Sequence, residues 1–296
     1  MEQRVSFFDA IDANKRNSLI LIAVMFILFL ALTAALSYAF DFGICGPALG
    51  FLFLLFYAVA VYYQGDQMIL ALSGAKEAGK AEYPFLYNVA EGLAIASDIL
   101  MPKLYVIEDP SPNAFATGRD PKHASLAVTT GLLSIMKREE LEGVIAHEIS
   151  HIGNFDIRYA MIAVVFAGAI ALLGEFAWRS LGFGFRGGRR DRGGGGILIL
   201  IALVFVILAP IFAQLVRLAL SREREYLADA NGAKLTRYPE GLASALEKIK
   251  NANIPTKAAT DTTASLYFSN PFPQKIGFLG STNPPIDDMI KRLRSM

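Results

Sequence analysis

Along the chain, stretches that are apolar on every side alternate with stretches whose apolar residues keep a helix or strand period. The uniformly apolar stretches are Ser18–Phe40, Pro47–Tyr63, Tyr159–Trp178 and Ile197–Val216. Only the third contains a charge, Glu175, near its end, where a carboxylate can reach the interface. A helix of about 20 apolar residues crosses a ~30 Å hydrocarbon layer, so each run is a candidate span. Ser18–Phe40 is longer than the apolar region of a cleavable signal peptide and reads as a retained anchor. With Pro47–Tyr63 it predicts a helical hairpin closed by Asp41–Gly46. Tyr57, Tyr62 and Tyr63 sit near the far end of that hairpin, where aromatic rings favour the headgroup layer.

The polar blocks between the runs carry shorter periods. Met68–Leu100 reads as mainly helical. Lys103–Asp109 is rich in β-formers and predicts a strand, "SPN" a turn, and "AFATG" and "ASLAVTTGLL" two further extended segments. Lys137–Ile152 predicts a helix, with Glu139 and Glu140 in its first turn and an apolar stripe of Leu141, Val144, Ile145 and Ile152. The expected organisation is a tail and membrane hairpin over 1–63 and a first part of a polar domain over 64–158. A second hydrophobic hairpin with a Gly/Arg-rich loop follows over 159–220, and the rest of the polar domain over 221–296. The fold class is mainly α with a small β-sheet (α+β), in a multi-pass helical membrane protein.

Composition agrees: 54% of residues are hydrophobic and 19% charged, against ~25% charged for a soluble domain. A net charge of +1 gives no reason to expect nucleic acid. Arg4, Lys15 and Arg16 precede the first run and no Lys or Arg lies in the loop after it, which puts the N-terminus and the polar domain in the cytoplasm. Arg179, Arg186, Arg189, Arg190 and Arg192 between the third and fourth runs oppose that rule if both runs span. The alternative is a shallow hairpin packed within the protein.

The chain has three histidines and one cysteine, Cys45, so neither an internal disulfide nor a cysteine metal site is available. Two of the histidines lie in "AHEISHIGN", four residues apart with Glu148 after the first. By chance this arrangement arises on the order of once in a thousand such chains. Positions i and i+4 share a helix face, so His147 and His151 can converge on one ion, while Glu148, turned by about 100°, can flank it as a base. A catalytic zinc needs a third protein ligand. The residues three and six after His151 are Asn154 and Ile157, which excludes a metzincin, and His123 lies in a polar turn. In "SREREYLADANG", Glu225 and Asp229 share a face, so one can ligate while the other orients a histidine. Glu223 is the rival ligand, and a charged surface helix is the bland alternative.

Several motifs resemble the HtpX-like membrane zinc metallopeptidases, gluzincins related to the CAAX prenyl endopeptidases. They are "MPKLYVIEDPSPNAFATGRDP" before the metal helix, "HEISHIGNFD" with Asn154 and Asp156, and "SREREYLADANGA". The resemblance implies one Zn2+ per chain on His147, His151 and Glu225, with Asp229 behind a ligand and Glu148 as general base. It implies an inner-membrane protease acting on membrane or misfolded proteins in quality control and stress response. Asn113, Ala114, Phe115 and Ala116 would form the strand that receives an extended peptide. Asn283 stands where the family usually carries a histidine, near the substrate carbonyl; asparagine can donate a hydrogen bond there but cannot be a cation. Nothing resembles an ATP-binding loop. The alternatives are a prenyl-protein endopeptidase and a non-enzymatic membrane protein with a structural zinc.

Overall fold

The computed structural model describes residues 12, 15–20, 22–24, 26–27, 30, 43–166, 168, 222–260, 262–272 and 284–296. Most of the third apolar run, the fourth run, the Gly/Arg-rich loop and Asn283 lie outside these residues. Among the described residues, one helix is long and apolar enough to cross a membrane, the part Ala48–Leu72 of α1 (Cys45–Leu72). It continues past Tyr63, where the apolar run ends. Its last turns earn their helical state by burial: Ile69 and Leu70 pack under the sheet.

Four strands follow: β1 (Lys76–Glu77), β2 (Lys103–Ile107), β3 (Ala114–Gly118) and β4 (Ala124–Thr129), in the order β1-β2-β4-β3. β2 and β4 are parallel, and the two outer pairs are antiparallel. Met68–Leu100, expected to be mainly helical, thus contains β1 between the end of α1 and helix α2 (Pro84–Ala96). Both residues of β1 are exposed, so no alternation announces it. The extended reading of "ASLAVTTGLL" also stops early. Thr129 accepts a hydrogen bond from Leu132 N–H through its hydroxyl and caps the short helix α3 (Thr130–Ile135).

Both faces of the sheet are covered. Leu104, Val106, Ala114, Ala116, Leu126 and Val128 point into one core with α2, α4 (Arg138–Gly153), α5 (Arg222–Thr236), α6 (Pro239–Ala252) and α7 (Ile286–Arg294). Their period-two neighbours Tyr105, Ile107, Phe115 and Ala127 point into a second core. That core is built with α1 and with the helical stretch 156–166, where the third apolar run begins. The sheet therefore separates a layer of polar-domain helices from a layer of apolar helices.

Helix α4 occupies the centre of the first core, from Glu140 to Ile152. Glu140 accepts from Lys137 N–H at 2.6 Å, satisfying a first-turn donor, and pairs with Lys248 of α6 at 2.6 Å. α4 meets α6 closely at Gly143, where an added Cβ would stand 2.7 Å from Leu242 N and 2.8 Å from its Cα. Those are backbone atoms that cannot swing aside. Gly143→Ala is expected to destabilise the domain by about 1–3 kcal/mol, read as a lower denaturation midpoint; an unchanged midpoint would mean that α6 is free to shift.

Candidate metal centre

Two helices bring the metal-ligating residue types together. α4 presents His147, Glu148 and His151; α5 presents Glu225, Ala228, Asp229, Gly232 and Ala233 on its buried face. The i, i+4, i+7 spacing of Glu225, Asp229 and Gly232 explains why these share one side. Gly232 sets the distance between the helices, because a Cβ there would already lie 3.1 Å from His147 N. Glu223, the rival ligand, is on the exposed side of α5. Asn231 Nδ2 donates to Ser150 Oγ at 3.1 Å and ties the same crossing.

Nε2 of His147 is 3.1 Å from Nε2 of His151, and Oε2 of Glu225 is 3.5 Å and 3.7 Å from those two atoms. These three residues form the one such cluster among the described residues. A tetrahedral ion with bonds of ~2.0–2.1 Å holds its ligand atoms roughly 3.3–3.4 Å apart, so the triangle has the size that such an ion requires. The outer nitrogens agree. His147 Nδ1 lies 2.9 Å from Asp229 Oδ1, and His151 Nδ1 lies 3.0 Å from Asp156 Oδ2. An ionised carboxylate only accepts, so a proton on each Nδ1 leaves the inward Nε2 able to ligate an ion. The cavity at the cluster has a volume of about 40 Å3, room for an ion and a water, and is also lined by Glu148, Ala116, Ile157, Ala160 and Phe268.

Burial works against a charged His147, but the Asp229 and Glu225 carboxylates outweigh it and hold its pKa up to about 9. His151 is likewise buried, yet Glu225 and Asp156 raise it well above the usual imidazole range. Glu225 is desolvated too, but the two histidines hold it far below the usual carboxylate range. Glu148 moves the other way. Burial pushes its carboxyl up, opposed by the histidines and by the Ala116 N–H that its carboxylate accepts.

The residues expected to receive a peptide separate into different environments. Thr129 N–H donates to Asn113 O at 3.0 Å, so the ladder pattern turns the backbone groups of Ala114, Ala116 and Gly118 to the outer edge of β3. Phe268 N–H donates to Ala114 O at 2.8 Å, and Ala114 N–H donates to the Asn113 side chain. Asn113 is itself engaged: Nδ2 donates to Thr256 Oγ1 and Ser269 O, and Oδ1 accepts from Ser269 N–H. The Phe115 ring faces the second core, against Tyr267 at 5.0 Å between centroids. Of the four, only Ala116 lines the metal cavity. Spacing gave no sign of three further neighbours. Asp156 lies past the end of α4, Arg224 stands 3.8 Å from it, and the Phe268 ring lies edge-on to His147 at 4.9 Å. His123 is half exposed and bonded to Asp120, away from the cluster.

A His–His–Glu cluster, an acidic side chain in the same cavity and an adjacent sheet edge define a metal-dependent peptidase. Residues 80–296 match the model of peptidase family M48. The chain is 52% identical to the protease HtpX homolog of Dictyoglomus thermophilum, over 98% of this chain and 95% of that protein. It is 44% identical to the protease HtpX homolog of Thermoanaerobacter pseudethanolicus, over 99% of each. The fold is similar to that of the S. mikatae Ste24p crystal structure, with a TM-score of 0.51 and 19% identity, covering 97% of this chain and 67% of that one. The chain belongs to peptidase family M48, and it is a membrane-associated metalloprotease.

Because His147 holds its proton up to about pH 9, a metal must displace that proton at pH 7. Metal uptake at pH 7 is expected to release at least one proton per ion, and affinity to fall about tenfold per released proton for each pH unit of acidification. Calorimetry in buffers of different ionisation enthalpy reads this directly, and buffer-independent heats would contradict it. Asp229→Asn is expected to weaken metal binding by roughly 10–100-fold, measured by competition with a chromophoric chelator.

Proposed function

We propose that this chain is a zinc-dependent endopeptidase, a multi-pass protein of the cell inner membrane whose active site faces the cytoplasm. Its substrates are membrane or misfolded proteins, in a quality-control and stress-response role. The observation that carries the chemistry is the convergence of His147, His151 and Glu225 beside Glu148. Two imidazoles and one carboxylate suit zinc, and three protein donors leave a position for water, as a catalytic site needs and a closed structural site does not. Zinc held by His147, His151 and Glu225 would supply an acidified water and polarise the scissile carbonyl. Glu148 takes the proton from the attacking water and returns it to the leaving amine, a task suited to a carboxyl whose pKa is raised by burial. Asp229 and Asp156 hold the ligand histidines in one tautomer and one orientation.

An extended substrate adds to the outer edge of β3 beside the metal cavity, which Ala116 lines. Asn113 and Ala114 support this edge by fixing the 267–269 segment rather than by touching substrate. Ala116, Ile157, Ala160, Leu266 and Phe268 make the adjoining wall apolar. Ile157 and Ala160 belong to the helix that leads into the third apolar run, so the cleft opens beside the membrane layer, which favours membrane-protein substrates. Lys15, Arg16 and Arg158 flank the apolar runs on the side of the metal centre, which supports the cytoplasmic orientation.

Glu148→Gln is expected to keep a full complement of zinc, measured by metal analysis, while lowering casein cleavage by at least about 10²–10⁴-fold. Proteolysis retained by that zinc-loaded variant would assign the proton transfer elsewhere.

A further inference from the structure

Just beyond α4 the chain makes a turn whose residues the peptidase chemistry does not use. Phe155 stands at φ 61°, in the left-handed region that side chains with a Cβ seldom occupy. Such a conformation persists where its surroundings hold it, and here the ring is held by cations. Lys15 Nζ lies 4.7 Å from its centroid and Arg158 Cζ 4.9 Å. Arg158 also donates through Nε to Arg119 O, and the Arg119 guanidinium lies 4.9 Å from the centroid of Tyr63. Lys15 and Arg158 thus share the Phe155 ring, and Arg119, whose carbonyl Arg158 bonds, lies over Tyr63.

These rings offset only part of the mutual repulsion. Asp120 pairs with Arg119 at 3.7 Å and also accepts from Lys122 N–H, His123 N–H and the His123 ring. Asp156 is engaged with His151 and Arg224. Among the described residues no carboxylate pairs with Lys15 or Arg158 within the 4.0 Å of an ion pair. Among the described residues the cluster thus carries more positive than negative charge: Asp120 pairs with Arg119, and no carboxylate pairs with Lys15 or Arg158.

Its level in the molecule is fixed by three changes from polar to apolar sequence. Lys15 and Arg16 precede Ser18–Phe40, Tyr63 ends the apolar run of α1, and Arg158 precedes Tyr159–Trp178. The apolar segments then run side by side. Tyr57 OH donates to Val165 O, the Tyr57 and Phe166 rings are 5.4 Å apart, and Ile22 and Phe26 pack on the same core. Beyond the cluster α1 exposes Leu52, Phe53 and Phe56. The patch lies where the apolar layer begins.

We propose that Lys15, Arg119 and Arg158 form a binding site for the phosphate of an anionic phospholipid, in the leaflet on the side of the metal centre. A zwitterionic headgroup brings its own cation and matches the patch less well. Cations just outside the apolar layer are attracted to an anionic surface. Phe155 is the platform that keeps Lys15 and Arg158 together.

The test uses the full chain in nanodiscs of phosphatidylcholine with a minor share of phosphatidylglycerol, counting the lipid that stays bound by native mass spectrometry. Several-fold enrichment of phosphatidylglycerol is expected, reduced by Arg158→Gln with Lys15→Gln and retained by Lys15→Arg. Lys15→Gln alone, at an exposed side chain, serves if the double variant does not fold, and a reduced enrichment is expected there too. Equal retention of the two lipids by the unaltered chain overturns the proposal, as does enrichment that survives these substitutions. Displacement of phosphatidylglycerol by millimolar inorganic phosphate would make this a site for a free anion and would overturn it as well.

Discussion

The metal centre depends on one close crossing, that of α4 over α5. Where Gly232 faces His147, no side chain separates the two backbones. The approach lets Asp229 reach the outer nitrogen of His147 while Glu225, one turn earlier, reaches the inner nitrogens of both histidines. A wider crossing would still leave two histidines on α4, but they would face a water-filled gap. Each carboxylate would then lose its partner in a buried setting, where an unmatched charge is costly. The convergence of His147, His151 and Glu225, and the contact of Asp229 with His147, are thus consequences of one backbone separation.

The sheet extends that order in the other direction. Alternate side chains of β2, β3 and β4 enter two different cores, one containing α4 and the other built on α1 and 156–166. The turn between His151 and Arg158 joins these layers. Asp156 leans back toward His151, whereas Phe155 and Arg158 face the boundary of the apolar layer. A shift of the apolar layer has a short covalent path to His151.

The residues that could be read from the sequence were those whose meaning lies in local spacing. His147, Glu148 and His151 are legible because a helix converts a four-residue interval into a shared face. Leu141, Val144, Ile145 and Ile152 were legible for the same reason, and all are buried. Glu225 and Glu223 looked alike as letters; burial against α4 separated them. β1 was hidden because two exposed residues carry no period, and the end of β4 because Thr129 serves both a strand and a helix cap. The 263–269 segment was beyond reach. Its position is set by Asn113 gripping Ser269 across more than half the chain, a contact with no local signature.

That grip has a further implication under the proposed mode of substrate binding. By donating to Ala114 O, Phe268 closes the outer edge of β3 on one side of Ala116, so the docking rail is only a few residues long. A strand already committed to a folded sheet has no edge to offer so short a rail, whereas a slack stretch of polypeptide does. Discrimination would then rest on the mechanical state of the client, on whether a few residues can be drawn out straight, more than on which side chains they carry. A protease built this way would spare its folded neighbours without needing a code to recognise them.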